Sequence, residues 1–251
     1  MDTTKKSIRS VFTVKEKTWI NEHYVRIIFS IPEELVPQLH NVKSGTNNKL
    51  FIPLPGTDTR VTRTYTNRHI DLIKKELWID FVVHSDDGPA AYWASHAAAG
   101  DTMEIGMKES NRPLLPHAKE YLLIGDSTAL PVIGAMLEQL PEGATARAMI
   151  EVNDTTCVLS FKTAAMLQID WLYNPAPGKG SYLAQQVRSM ALPAADQCFC
   201  YAATEFSTAR ELKQYFRQEL DWPATSHQVV AYWKRGESED QSSPERRNER
   251  L

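Results

Sequence analysis

The chain has 251 residues, 42% apolar and 24% charged, with a formal net charge of −3. That length fits two modest domains or one large one, each able to bury a core, and the composition is that of a soluble globular protein. The charge balance leaves no nucleic-acid footprint, and the apolar runs are too short and too broken by charges to span a membrane. Met1 to Arg9 carries cations but no apolar segment long enough for a signal peptide, so the expected location is the cytoplasm.

Taken in chain order, residues 8–31 read as two strands separated by a polar turn at Asn21-Glu22, with Pro32 stopping the second. Glu33 to Leu39 reads as one helical turn and 44–48 as a loop. Residues 49–54 form a third strand, which Pro55-Gly56 turns back. Val61 to Arg68 is a fourth strand and Glu76 to His84 a strongly β-prone fifth, with Asp80 and His84 on one face. Gly88-Pro89 then opens a short helix through Ala99, with proline where helix starts tolerate it. Thr102 to Met107 is a last strand, and several short strands with regular turns predict a small closed antiparallel barrel. Lys108 to Lys119 is a polar connection and the best boundary between domains.

Beyond it the texture changes. Residues 121–124, 146–152, 168–173, 197–203 and 228–233 read as strands, and 127–140, 180–190 and 206–220 as helices, with Ser127 the expected cap of the first helix. This alternation predicts a parallel-sheet α/β domain. The expected layout is a barrel domain over 1–113, an α/β domain over 118–236 and a polar tail over 237–251. The first αβ turn, Gly125-Asp126-Ser127-Thr128, is not the glycine-rich dinucleotide fingerprint.

Three cysteines, Cys157, Cys198 and Cys200, argue against a disulfide framework and cannot supply the four thiolates an iron–sulfur cluster usually takes. Cys198 and Cys200 read as buried thiols on one face of a strand. The seven histidines lack metal-ligand spacing, so no metal site is expected. Any redox work therefore needs a bound organic cofactor. The stretch 63–68 has the chemistry to hold one. Tyr65 offers a ring for stacking and Thr66 a short hydroxyl, while Arg63 and Arg68 offer forks suited to phosphate. Taken alone, these six residues are equally an exposed strand with two solvated arginines.

Four blocks in order carry a family resemblance over most of residues 8–236. They are Arg63-Thr64-Tyr65-Thr66-Asn67-Arg68; Asp80 to His84 followed by Gly88-Pro89-Ala90-Ala91-Tyr92-Trp93-Ala94; Gly125-Asp126-Ser127-Thr128-Ala129-Leu130-Pro131; and Tyr232-Trp233-Lys234-Arg235-Gly236. Together they resemble the siderophore-interacting proteins, ferric-siderophore reductases of the ferredoxin-reductase-like superfamily. The resemblance implies FAD between the barrel and the α/β domain. Arg63 and Arg68 would face its phosphates or adenosine, Tyr65 would stack on the isoalloxazine, and Thr66 would bond near its reactive nitrogen. The backbone of Val82 to His84 would border the ring and ribityl chain, with Gly88 to Ala91, including Ala90, at the pyrophosphate, Trp93 flanking the cofactor and Asp80 a further cofactor-binding residue. Asp126 to Thr128 would look across at the nicotinamide side, and Trp233 would be a further cofactor-binding residue.

No catalytic side chain is implied, since the flavin carries the electrons. An anionic ferric siderophore would meet Lys234, Arg235, Lys49 and Arg112. The electron donor would be NADPH, NADH or reduced ferredoxin. Thr204, where the family has glycine in Ala203-Thr204-Glu205-Phe206, would hinder a nicotinamide nucleotide. Nothing in the sequence demands more than a monomer. Two other readings stay open: a flavoprotein reductase of the same architecture with another acceptor, and a redox-inactive siderophore-binding module.

Overall fold

The computed structural model describes residues 7–83, 88–111 and 113–242. The chain divides into two compact units, Met1–Leu114 and Leu115–Leu251. Among the described residues no helix is long and apolar enough to cross a membrane.

The first unit is a seven-stranded antiparallel sheet. Its strands are β1 (Ser7–Asn21), β2 (Tyr24–Ser30), β3 (Asn47–Pro53), β4 (Arg60–Thr66), β5 (His69–Asp71), β6 (Glu76–Val82) and β7 (Thr102–Lys108), in the order β4-β3-β7-β1-β2-β6-β5. Alternation builds it: Val25, Ile27 and Phe29 of β2 face inward while Arg26, Ile28 and Ser30 face out. Two register shifts, at Val14/Glu16 and Trp19/Asn21, bend β1. Its first half therefore pairs with β7 and its second with β2. The expected antiparallel barrel is present, but its closure is not a ladder. β4 and β5 are the two ends of the strand order, yet only Asn67 and Arg68 separate them in the chain. The Arg68 amide donates to Trp78 O of β6 at 2.9 Å, so the chain itself ties the two edges together. Sequence reading ran β4 through Arg68 and missed β5, which is too short for periodicity to reveal. Inside lie Phe12, Ile27, Phe29, Leu50, Ile52, Ile79, Phe81 and Ile105, none with any exposed surface. Helix α1 (Pro89–His96) packs Ala90, Ala94 and Trp93 against this core.

The second unit is a five-stranded parallel sheet. It comprises β8 (Glu120–Asp126), β9 (Thr145–Val152), β10 (Met166–Tyr173), β11 (Cys198–Glu205) and β12 (His227–Trp233), in the order β10-β9-β8-β11-β12. The helices are α2 (Leu130–Leu137), α3 (Leu183–Ser189) and α4 (Phe206–Gln214), the last continuing as one π-helical turn over Tyr215–Glu219. β8 and β11 are buried along nearly their whole length, which is why they read as unbroken apolar runs. Every residue of α2 is buried too. Gly125 permits that packing, because a Cβ there would stand 2.5 Å from Ala129 Cβ and 3.0 Å from Ile133 Cδ1. Ser127 is not the helix cap. Asp126 instead caps the 3-10 turn Ser127–Ala129 that leads into α2, taking the Thr128 amide at 2.9 Å, because β8 runs two residues past its apolar run 121–124. Cys157, Cys198 and Cys200 are buried and free. Burial pushes the Cys198 thiol up to about 11 and the Cys200 thiol well above its ordinary value, so both are unreactive.

Candidate functional site

In the first unit, β4 carries three of the expected cofactor residues. Tyr65 is half-buried and rests against Phe81 of β6, with ring centroids 4.6 Å apart. Arg63 is partly exposed and donates to Thr62 O at 2.8 Å. Thr66 is buried at the strand end. Asn67, with no exposed surface, locks that end. Its Oδ1 accepts from Asn48 Nδ2 at 2.8 Å, its Nδ2 donates to Thr46 Oγ1 at 3.0 Å, and its backbone bonds Gly45 and Thr46. Asn67 and Asn48 thus fix where Tyr65 stands, a role sequence reading did not assign.

Arg68 is buried, with Nε 3.8 Å from Asp80 Oδ2. Asp80 is also buried and is gripped in a fork by Arg26, at 2.7 Å to each carboxylate oxygen. Arg26 lies over the Trp78 ring, 4.9 Å from its centroid. Two cations therefore share one carboxylate. Arg26 was missed because it stands opposite Asp80 only once β2 and β6 are in register.

Val82 ends β6 half-exposed, and His84 and Arg112 lie outside the described residues. Gly88 is the N-cap of α1, with no side chain taking the first-turn amides. Pro89 has no N–H to give. Among the described residues nothing accepts from the amides of Ala90 and Ala91. A side chain built on Gly88 would meet nothing within 4 Å, so this helix start faces open space. That suits a pyrophosphate. Trp93 stacks on Phe29 at 6.1 Å and leans on Phe81 at 6.1 Å, which makes it first a core residue. It also lines a cavity of about 200 Å³ with Leu54, Tyr92 and His96. That cavity is at the far end of α1 from the Ala90 and Ala91 amides. Lys49 donates to Thr64 Oγ1 on the neighbouring strand.

In the second unit the C-terminal ends of the parallel strands converge on buried carboxylates, at the edge where such sheets bind ligands. Asp126 is the hub. Its Oδ1 accepts from the Thr128 amide at 2.9 Å and hydroxyl at 2.5 Å. Its Oδ2 accepts from Thr204 Oγ1 at 2.9 Å, the Glu205 amide at 3.1 Å and Trp233 Nε1 at 2.9 Å. The expected cofactor residues Asp126, Thr128 and Trp233 are thus brought together, with Thr128 and Trp233 each donating to Asp126. Glu205 accepts from the Ser207 amide at 2.7 Å, the Ser207 hydroxyl, the Thr208 amide at 3.4 Å and the Arg235 amide at 3.2 Å. Burial pushes its carboxyl up, but these donors outweigh burial and hold it below the ordinary range. A third carboxylate, Glu151 at the end of β9, takes Asn174 Nδ2 at 3.1 Å, Ser181 Oγ at 2.9 Å and the Tyr182 amide at 3.2 Å. Sequence reading missed this network. Its only local signal is an acidic residue ending an apolar strand. Lys234 pairs with Glu237 at 2.8 Å and lies 5.2 Å from the Phe206 ring centroid, and Arg235 is partly exposed.

Known proteins share this arrangement. Residues 3–109 match the siderophore-interacting FAD-binding domain, and residues 118–236 match the siderophore-interacting protein domain. The ferric vibriobactin reductase ViuB of Vibrio cholerae is 28% identical over 187 residues, 74% of this chain and 69% of that one. The ferric acinetobactin reductase of Acinetobacter baumannii is 26% identical over 193 residues, 76% and 66% of the two chains. The crystal structure of the siderophore-interacting protein SipS from Aeromonas hydrophila superposes with a TM-score of 0.81 at 27% identity, covering 96% of this chain and 97% of that one. With both units matched, and with Tyr65, Asp80 and Asp126 each held as described, the chain belongs to the siderophore-interacting protein family.

Proposed function

We propose that the chain is a FAD-dependent ferric-siderophore reductase, which turns Fe(III) in a siderophore into Fe(II) so that iron can be released. The observation that carries this is in the first unit. A half-buried tyrosine ring on β4 and a helix start whose Ala90 and Ala91 amides no described residue takes belong to one compact body. These are the parts needed to hold a flat ring and a pyrophosphate.

FAD, when bound, supplies the redox chemistry, accepting an electron pair and giving up electrons singly. The chain's own residues position and tune. Tyr65, braced by Phe81, offers a ring face at a fixed angle. Thr66 offers a hydroxyl beside it, and Val82 backbone at the end of β6 borders the same region. Ala90 and Ala91 amides, with Arg63, receive negative charge. Arg68 and Asp80, with Arg26, hold the strands beneath them in register. Lys234, Arg235 and Lys49 are the cations proposed to draw in an anionic ferric chelate. Hard oxygen donors favour the more highly charged Fe(III), so reduction weakens their grip.

For the electron donor we propose reduced ferredoxin over NADPH or NADH. Thr204 places a buried side chain, not the bare backbone of a glycine, at the end of β11, and its hydroxyl is committed to Asp126. Asp126, Glu151 and Glu205 add three carboxylates at the strand ends, unfavourable neighbours for a nucleotide phosphate.

The test is a visible spectrum of the purified chain, then anaerobic reduction with each donor, then turnover of a ferric chelate with a ferrous trap. A yellow protein reduced by ferredoxin that yields trapped Fe(II) is expected. Fast, saturable bleaching by NADPH would overturn the donor assignment. A yellow protein that is reduced but leaves ferric chelates untouched would point to another acceptor. A colourless chain that rejects added FAD would point to a binding module.

A further inference from the structure

The parallel sheet of the second unit has two edges, β10 and β12. They differ in how they are finished. β12 carries a register shift opposite Thr204/Glu205 and ends in a bridge between Lys234 and Glu237. β10 pairs with β9 without any shift. The Met166 amide donates to Ala144 O at 2.9 Å and the Asn174 amide to Val152 O at 2.8 Å. Even-numbered residues of β10 therefore turn their backbone groups toward β9, and Leu167, Ile169, Trp171 and Tyr173 turn theirs outward. Among the described residues nothing takes these outward groups.

Folded proteins usually blunt such an edge with a short strand, a lysine, a proline or a bulge. β10 has none of these. It is eight residues long, and its only charge is Asp170. That carboxylate is already drawn aside by Arg147 of β9, at 2.8 and 2.7 Å. Met166 and Tyr173, at its two ends, are 65% and 51% exposed.

We propose that β10 pairs antiparallel with β10 of a second copy of this chain, about a two-fold axis through Ile169, joining the two five-stranded sheets into one. The sequence of the strand selects both partner and register. A two-fold axis perpendicular to a sheet keeps each side chain on its own face, so facing residues must be an even number apart. With Ile169 opposite itself, Leu167 faces Trp171, Met166 faces Leu172, and Gln168 faces Asp170. The outward pairs 167/171 and 169/169 then exchange both backbone bonds. Each Asp170 gains an amide donor in Gln168 of the other copy. Centring on Asp170 instead sets two carboxylates face to face, and centring on Gln168 sets Asp170 against Met166, both unfavourable. Only the register through Ile169 matches apolar to apolar and donor to acceptor along the strand.

The full chain is examined by size-exclusion chromatography with light scattering across about a hundredfold range of concentration. The expected result is a dimer fraction that rises with concentration. Gln168→Glu, at an exposed position, sets glutamate against Asp170 on both halves and weakens association about tenfold, with an unchanged circular-dichroism spectrum. Ile169→Cys forms a disulfide-linked dimer on mild oxidation, because facing Cα atoms in such a pair lie about 5.5 Å apart. Asp170→Cys does not form that link, and the native cysteines are buried and do not compete. A chain that stays monomeric throughout overturns the proposal and leaves the edge to an extended strand of another protein. A dimer that ignores Gln168→Glu and links through Asp170→Cys overturns it as well.

Discussion

Asp80 in the first unit and Asp126 in the second are both buried carboxylates at the end of a site, and they are satisfied by opposite means. Asp80 is met by cations: Arg26 in a fork, with Arg68 close by. Asp126 is met by neutral donors only, from Thr128, Thr204, Glu205 and Trp233. Glu205 follows the second pattern, with Ser207, Thr208 and the Arg235 amide as donors. Cationic partners cancel the charge of the acid they meet. Neutral dipoles satisfy the hydrogen bonds but leave the negative charge in place. The first unit thus closes its acid in ion pairs between strands, and the strand ends of the second use theirs to hold their own loops together.

The contrast breaks most visibly at Asp126. Asp126→Ala strips the acceptor from Thr204, Trp233 and the Glu205 amide at once. It should cost about 4 kcal/mol, read as a lower urea midpoint with an unchanged slope. A loss under about 1 kcal/mol would mean that water replaces the carboxylate and the hub is not structural. Asp80→Ala should cost about 3 kcal/mol, because it strips the two-pronged acceptor from a partly buried Arg26. Arg26→Met in the same chain should recover much of that loss, whereas strict additivity of the two changes would show that the pair does not interact.

A sharper version concerns a cation with no partner at all. Lys213 on α4 is buried and its Nζ has no hydrogen-bond partner. Burial, then nearby Arg217, pushes its amine from 10.5 down to about 8. In the unfolded chain it stays protonated up to about 10.5, so between those values the unfolded state holds the extra proton and stability rises with pH. Below about 8 the full cost of the buried charge is present. Lys213→Met should therefore stabilise the protein at neutral pH by about 2 kcal/mol, and the advantage should shrink as pH climbs through that window. A pH-independent difference would show that the amine is solvated. The smallest effect is expected at the proposed flavin face. Tyr65→Ala should weaken FAD retention by ~1 kcal/mol through lost stacking, measured by fluorescence titration, and unchanged affinity would show that the ring sits elsewhere.

Much of this was legible beforehand, for local reasons. β6, β8 and β11 announce themselves as apolar, β-prone runs, and the switch from alternating to buried strands marks the change from one unit to the next. The four family blocks were readable because each is contiguous. β5 was not, since three residues carry no period. The choice of Asp126 over Ser127 as cap was hidden for a different reason. It depends on how far β8 extends, which pairing with β9 and β11 settles.

Neighbouring residues were enough to fix most of the strands and helices, their order, the cysteines' burial and the family, because each of these is a local pattern. That Arg26 grips Asp80, that Thr204 and Trp233 converge on Asp126, and that β10 stands at an edge became visible only in the folded chain. Those facts join residues dozens to over a hundred positions apart. Such a meeting is fixed by strand order and register, and no stretch of chain carries either one alone.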